Sequence, residues 1–201
     1  LIDQRNHGKS FHADQFDYET MSQDLKKFLD EKKIQKVSLI GHSMGGKTIM
    51  NFILNYPHYA NKVIIVDILP KAYNNDYEKI FNAFSKMDLN NLKSRKQIDE
   101  YFLRFFSDHT FVSFLSKNIN RDSNGNFKIK FNLNSIKSNI LKITAAIKTD
   151  RVFNKDILFI KGEYSNYIDN QGLFEAKKSF PKLSLVSIEN SSHWIHYENQ
   201  K

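Results

Sequence analysis

Leu39-Ile40-Gly41-His42-Ser43-Met44-Gly45-Gly46-Lys47-Thr48, LIGHSMGGKT in one-letter code, satisfies two catalytic patterns at once. Gly41 to Gly45 reads G-x-S-x-G, the turn that presents a nucleophilic serine. Gly41 to Thr48 also reads G-x-x-x-x-G-K-[ST], the loop that cradles nucleotide phosphates. Both need a strand before and a helix after, and the flanking sequence predicts both. Lys36-Val37-Ser38-Leu39-Ile40 reads as a short buried strand. After Ser43, the spacing of Ile49, Phe52, Ile53 and Tyr56 is helical, and Pro57 stops it. A second buried strand, Val63-Ile64-Ile65-Val66-Asp67, has the unbroken apolar run of a parallel sheet.

The phosphate-loop reading has some support. Val63–Asp67 is four apolar residues and an acid, the form of an NTPase strand that holds Mg²⁺, and Lys47 and Thr48 would contact phosphate and metal. The serine reading explains more. A serine on so tight a turn has strained backbone angles, and the residues two before and two after it must be small. Gly41 and Gly45 are those residues. The Met44 N–H, directly after the nucleophile, becomes an oxyanion donor at a helix N-terminus. Lys47 and Thr48 are then ordinary first-turn residues. The serine reading also requires a histidine after the last strand. Leu183–Ile188 reads as that strand, and His193 follows in Asn190-Ser191-Ser192-His193-Trp194. The order nucleophile, acid, histidine is met by Ser43, an intervening carboxylate and His193.

The chain has 201 residues, 40% hydrophobic and 26% charged, enough for one domain with a large insertion. It has 0 cysteines, which excludes disulfides, thiolate metal sites and a cysteine nucleophile. No apolar run has the length of a membrane span. The net charge is +8, but the lysines are scattered in pairs such as Lys26-Lys27 and Lys177-Lys178. They read as a solvated surface, not a nucleic-acid stripe. Leu1-Ile2-Asp3 reads as the end of a strand, and His196–Lys201 stops where a helix should begin. Both ends therefore look cut, and any targeting segment would lie upstream.

Residues 17–33 form an amphipathic helix, with Asp17 as N-cap and Met21, Leu25, Phe28 and Leu29 on one face. After Pro70 the character changes. Residues 71–150 carry Phe-rich helical stretches around Phe81, Phe84, Phe102 and Phe105, which read as a core of their own. A hairpin is signalled at Asn124-Gly125, with alternation through Phe127, Ile129, Phe131 and Leu133. Ile136, Ile140 and Ile143 mark a helix. The α/β pattern returns with a strand at Ile157–Ile160 and a helix over 170–180. The organisation is a core from 1–70 and 151–201, with 71–150 as a mostly helical cap or lid. His42 and Trp194 read as packing residues, His196 as surface or structural, and His7-Gly8 as a structural turn.

Asp3-Gln4-Arg5-Asn6-His7-Gly8-Lys9-Ser10, Gly41–Lys47, Val66-Asp67-Ile68 and Ser192-His193-Trp194-Ile195-His196 appear in that order. Together they resemble the α/β-hydrolase esterases of the bacterial YbfF type and their mitochondrial relatives. The resemblance implies an α/β-hydrolase fold, a parallel-sheet core with a helical cap, cleaving small carboxylic esters or acyl thioesters without metal or cofactor. It implies that the second oxyanion donor lies upstream of Leu1. The acid of most such hydrolases follows the next-to-last strand, where Ser165 stands in the usual slot. In the YbfF type it follows the strand after the elbow helix, which implies Asp67 here, with Ser165 as an accessory hydrogen-bonding member. Asp169 and Glu163 remain alternatives. The Asn190-Ser191-Ser192 lead-in departs from the glycine-rich form common before this histidine. A non-catalytic binding protein on the same fold and a P-loop NTPase are the competing readings.

Overall fold

A computed structural model describes residues 1–74 and 76–199. In chain order the elements are α1 (Tyr18–Glu31), β1 (Val37–His42), α2 (Met44–Asn55), β2 (Ala60–Val66), α3 (Glu78–Ser85), α4 (Arg95–Leu103), α5 (His109–Ser116), β3 (Ile119–Arg121), β4 (Phe127–Ile129), α6 (Leu133–Thr144), β5 (Ile157–Gly162), α7 (Asn170–Ser179), β6 (Leu183–Ile188) and α8 (Ile195–Glu198). They divide into two compact units. One holds Asp17–Tyr73 and Leu141–Lys201, the other Leu1–Phe16 and Asn74–Ile140.

The first unit is built on a four-stranded sheet in the order β1-β2-β5-β6, parallel throughout. Parallel neighbours require crossovers, and α2 and α7 supply two of them. Its apolar core includes Leu39, Phe52, Ile53, Val63, Ile65, Phe159 and Phe180. The helix α1 starts as its sequence predicts. Asp17 accepts the Thr20 backbone N–H at 2.8 Å, while Thr20 Oγ1 accepts the Asp17 N–H, a reciprocal capping box. Met21 and Leu29 are buried on its inner face, but Phe28, expected beside them, is 38% exposed. The buried stripe follows steps of four, and Phe28 falls one position off it.

The strand β1 departs from the expected buried run. Leu39 and Gly41 are buried, whereas Ile40 is 71% exposed. It ends the strand order, and α2 covers the face bearing Gly41, whose added Cβ would lie 2.6 Å from Ile49 Cδ1. Residues 1–4 adopt no strand, contrary to the reading of Leu1-Ile2-Asp3. The turn at His7-Gly8 is present. Asn6 and Gly8 take φ of 66° and 56°, and a Cβ at Gly8 would run into the Asp3 carboxylate.

The second unit has its own apolar core, with Phe84, Ile98, Phe102, Leu115 and Phe127 buried and Phe105 packed against them. The hairpin β3–β4 turns through residues 122–126, with Gly125 at φ 83°. Its second strand stops at Ile129, and Leu133 opens α6, so the alternation past Ile129 does not continue as strand. Asn132 Oδ1 accepts the Ser135 N–H at 3.2 Å, an N-terminal cap that turns the chain into helix. Among the described residues, no helix is long and apolar enough to cross a membrane.

The helix α2 lies so close to the sheet that a Cβ at Gly46 would stand 2.6 Å from Ile68 Cγ2 and 3.0 Å from the Gly41 carbonyl oxygen. Gly46→Ala should therefore destabilise the protein by about 1–3 kcal/mol through overpacking. The expected readout is a lower urea midpoint with an unchanged m-value. An unchanged midpoint would mean that this contact is loose.

Candidate active site

Ser43 occupies the single residue between β1 and α2, at φ 51° and ψ −120°. Non-glycine residues rarely adopt such angles, and the surrounding structure must hold them in place. Two features do so. The Ser43 N–H donates to the Val66 carbonyl at 3.0 Å, tying the turn to β2. Gly41 lets the Gly45 backbone approach to a distance where a Cβ would stand 2.6 Å from its carbonyl carbon. Helix α2 begins immediately, with Met44 in its first position, where a backbone N–H has no intrahelical acceptor.

The parallel register of β1 and β2 pairs His42 with Val66, so Ser43 and Asp67 leave the sheet side by side. Asp67 is fully buried at φ 50°, a left-handed conformation that aspartate tolerates better than most residues. Its Oδ1 accepts the Gly162 N–H at 3.2 Å. Its Oδ2 accepts from the Ser165 hydroxyl and from His193 Nδ1, the latter at 2.7 Å. The other imidazole nitrogen, Nε2, lies 3.1 Å from Ser43 Oγ. With Nδ1–H donating to a carboxylate, Nε2 carries the lone pair and accepts the serine proton.

The loop that carries His193 is fixed at several points. Gly162 approaches it so closely that a Cβ would meet the Ser192 carbonyl oxygen at 2.1 Å. Glu163 and Tyr164 N–H donate to the Ile188 and Ser191 carbonyls at 3.0 and 2.9 Å. Asn190, in the non-glycine lead-in, takes φ 53°, the conformation a glycine would otherwise supply. The Ser192 N–H and hydroxyl both donate to Glu198, at 2.6 and 2.7 Å.

The alternative carboxylates are engaged elsewhere. Asp169 caps α7, accepting the Gly172 N–H at 2.6 Å, and pairs with Lys71. Glu163 accepts the Asn190 N–H at 2.9 Å. Ser165 meets the acid and not the histidine. His42 Nε2–H donates to the His193 carbonyl at 2.8 Å, so His42 supports the backbone of that residue. Trp194, expected in the core, is only half-buried, with its ring 5.7 Å from those of His42 and His193. His196 is exposed, as expected.

Lys47 overturns its reading as an ordinary first-turn residue. It is 1% exposed, and its ammonium donates to the Lys71 carbonyl at 3.1 Å and, at 2.5 Å, to that of Ala145. Burial pulls its pKa down to about 8. A lysine committed to two carbonyls cannot serve a phosphate. The backbone from Gly41 to Thr48 is strand end, one-residue turn and helix, with no length left to wrap a nucleotide. A cleft of about 490 Å³ is lined by residues that include Pro70, Lys71, Ile147, Gly172 and Phe180, and no residue of the Ser43–His193–Asp67 relay borders it.

A family model for the alpha/beta hydrolase fold matches residues 1–200. The chain belongs to the α/β-hydrolase family. A Haemophilus influenzae protein named as an esterase/lipase is 33% identical to this hydrolase over 198 residues, covering 98% of the chain and 68% of the relative. Esterase YbfF of Escherichia coli is 28% identical over 198 residues, covering 98% of the chain and 76% of the relative. A solved marine microorganism esterase superposes with a TM-score of 0.94 at 38% identity, covering 100% of the chain and 79% of that structure.

Sequence reading misses one side chain beside the relay and misreads another on α2. Tyr167 stacks flat on His193, with ring centroids 3.9 Å apart and planes 15° apart. It follows Ser165 in an aperiodic loop, where no spacing signals a contact. Lys47 had a signal that could have been used. It sits on α2 among buried neighbours on both sides, where an ordinary lysine has no route to water.

Burial is the main cause that pulls the His42 pKa from 6.5 down to about 4, with the neighbouring His193 adding to it. Above the unfolded value neither state holds a proton on this ring, and the contribution of His42 is fully present. As pH falls from 6.5 toward about 4, the unfolded chain takes up a proton that the folded state refuses, and stability is lost. His42→Gln keeps an N–H donor but cannot titrate. It should lose less stability than the parent over that window, measured as urea midpoint against pH. Parallel curves would contradict this.

Proposed function

We propose that this α/β-hydrolase cleaves carboxylic esters through a covalent acyl-enzyme, with Ser43 as nucleophile, His193 as general base and acid, and Asp67 as the carboxylate that orients the imidazole. One observation carries the reading: a continuous relay in which Ser43 Oγ lies 3.1 Å from His193 Nε2 and His193 Nδ1 lies 2.7 Å from Asp67 Oδ2. An esterase/lipase among the relatives and an esterase at 38% identity support the substrate class.

The chemistry follows from the geometry. Ser43 Oγ attacks the acyl carbon as its proton passes to His193 Nε2. Asp67 stabilises the imidazolium that forms, and burial strengthens that interaction. Negative charge gathers on the former carbonyl oxygen, where the Met44 N–H and the N-terminus of α2 receive it. His193 returns the proton to the departing alkoxide, or to a thiolate if the substrate is a thioester. Water then attacks the acyl carbon as its proton passes to the same nitrogen, and His193 returns that proton to Ser43 Oγ as the acid leaves. Ser165 donates to the Asp67 oxygen that faces the histidine, which fixes that carboxylate in place. The relay itself requires no metal or organic cofactor. In this reading 71–150 is the cap insertion, which the separate apolar core within it supports.

Asp67→Asn should lower kcat by about 10⁴-fold with KM little changed, because an amide holds the wrong imidazole tautomer and cannot stabilise the imidazolium. Asp169→Asn and Glu163→Gln should leave turnover near that of the parent protein. Steady-state hydrolysis of p-nitrophenyl esters measures all three. A large loss in Asp169→Asn or Glu163→Gln with none in Asp67→Asn would move the acid to the loop after β5.

A further inference from the structure

The loop after β5 brings one residue against both the base and the hydroxyl that donates to the acid. Tyr167 covers a face of the His193 imidazole. Its backbone N–H donates at 3.2 Å to Ser165 Oγ, the hydroxyl that donates to Asp67. An imidazole held at its two ring nitrogens, by Asp67 and Ser43, can still tilt about the line that joins them. A ring lying flat against it removes the tilt, so Nε2 stays aimed at Ser43.

Tyr167 is itself anchored. Its carbonyl accepts the Tyr73 hydroxyl at 2.9 Å, and the two rings stack with centroids 5.2 Å apart. The same hydroxyl accepts the Leu69 N–H at 2.8 Å. Tyr73 stands at the neck where the chain leaves this unit, and residues from 141 onward bring it back. The two neck segments are knitted together. Tyr73 N–H donates to the Thr144 carbonyl at 2.9 Å, and Ile147 N–H to the Pro70 carbonyl at 2.8 Å. Lys47 joins the two segments, donating one N–H to each through the Lys71 and Ala145 carbonyls. Its ammonium also lies 5.0 and 5.6 Å from the Tyr18 and Tyr73 ring centroids. Among the described residues, no carboxylate lies within ion-pair reach of it. Carbonyl dipoles and ring faces stabilise the charge in place of a carboxylate.

We propose that Tyr167 is a positioning residue for His193 and Asp67, and that the buried Lys47–Tyr73 clamp at the neck of the insertion sets where Tyr167 stands. This rests on the relay acting as the catalytic triad. The neck is then tied to the nucleophile as well, because the Lys47 backbone N–H donates to the Ser43 carbonyl at 3.1 Å where α2 begins. Displacing a catalytic group by about 1 Å costs on the order of 100-fold in rate.

The test compares kcat per serine titrated with a fluorophosphonate, KM and melting temperature for the parent and five variants. Titration counts folded sites only, so instability alone does not lower the normalised kcat. Tyr167→Leu should lower it by roughly 100-fold with KM within about threefold, and Tyr167→Phe, which keeps the ring, should recover most of it. Tyr73→Phe should cost about tenfold for one neutral hydrogen bond. Lys47→Met should cost a similar amount, and the double variant Lys47→Met/Tyr73→Phe no more than the larger single loss, because the two act in series. Normalised kcat in Tyr167→Leu within twofold of the parent would overturn the proposal. So would losses that multiply in the double variant. If Lys47→Met fails to fold, the Tyr167 pair and Tyr73→Phe decide the matter alone. A parent protein that the fluorophosphonate does not label would instead refute the triad reading, a separate outcome.

Discussion

The backbone of Ser43 is the constraint on which the rest of the site depends. A serine at φ 51° and ψ −120° is strained, and nothing local relieves it. The relief is tertiary. Gly41 allows the turn to close, Gly46 allows α2 to settle on the sheet against Ile65 and Ile68, and the Val66 carbonyl takes the Ser43 N–H. The same turn puts the hydroxyl above the sheet and the Met44 N–H beside it. Packing energy in the core thus holds a conformation that the chain would not adopt alone.

Sheet topology supplies the second member of the site without further design. Because β1 and β2 are parallel neighbours in register, whatever follows Val66 stands next to whatever follows His42. Asp67 is that residue. The end of β5, the next strand over, and the loop after it support Asp67 through the Gly162 N–H and the Ser165 hydroxyl. The histidine arrives from β6, held by close approach to Gly162. The ends of β1, β2 and β6 therefore carry the relay, and β5, which lies between β2 and β6, supplies the Gly162 and Ser165 contacts to Asp67.

Much of this was legible in the sequence where the signal is local. The glycines around Ser43, the apolar runs of β2 and β5, the Asp17 cap and the placement of His193 after the last strand each follow from short-range rules. Which carboxylate meets His193 was not legible from residues alone. Asp67, Glu163 and Asp169 all stand near strand ends, and only the resemblance to YbfF-type esterases pointed to the first. The geometry shows why the others are occupied: Asp169 caps a helix and Glu163 ties down Asn190. Ile40 misled because an apolar residue in a strand reads as buried whatever the strand's place in the sheet. Lys47 misled for the opposite reason, since the carbonyls that hold its charge come from residues 24 and 98 positions away. Tyr167 gave no signal, because stacking between a loop residue and a distant histidine leaves no period in the sequence.

The central claim is that Ser43 carries the acyl group during turnover. Acid-quenching the protein with a p-nitrophenyl ester on the millisecond scale, then digesting and weighing the peptides, tests this directly. The acyl mass should appear on the peptide containing Ser43, in step with a burst of about one equivalent of p-nitrophenol. It should disappear in Ser43→Ala. Turnover with no acyl peptide, or with the acyl mass on another residue, would contradict the assignment of Ser43 as nucleophile.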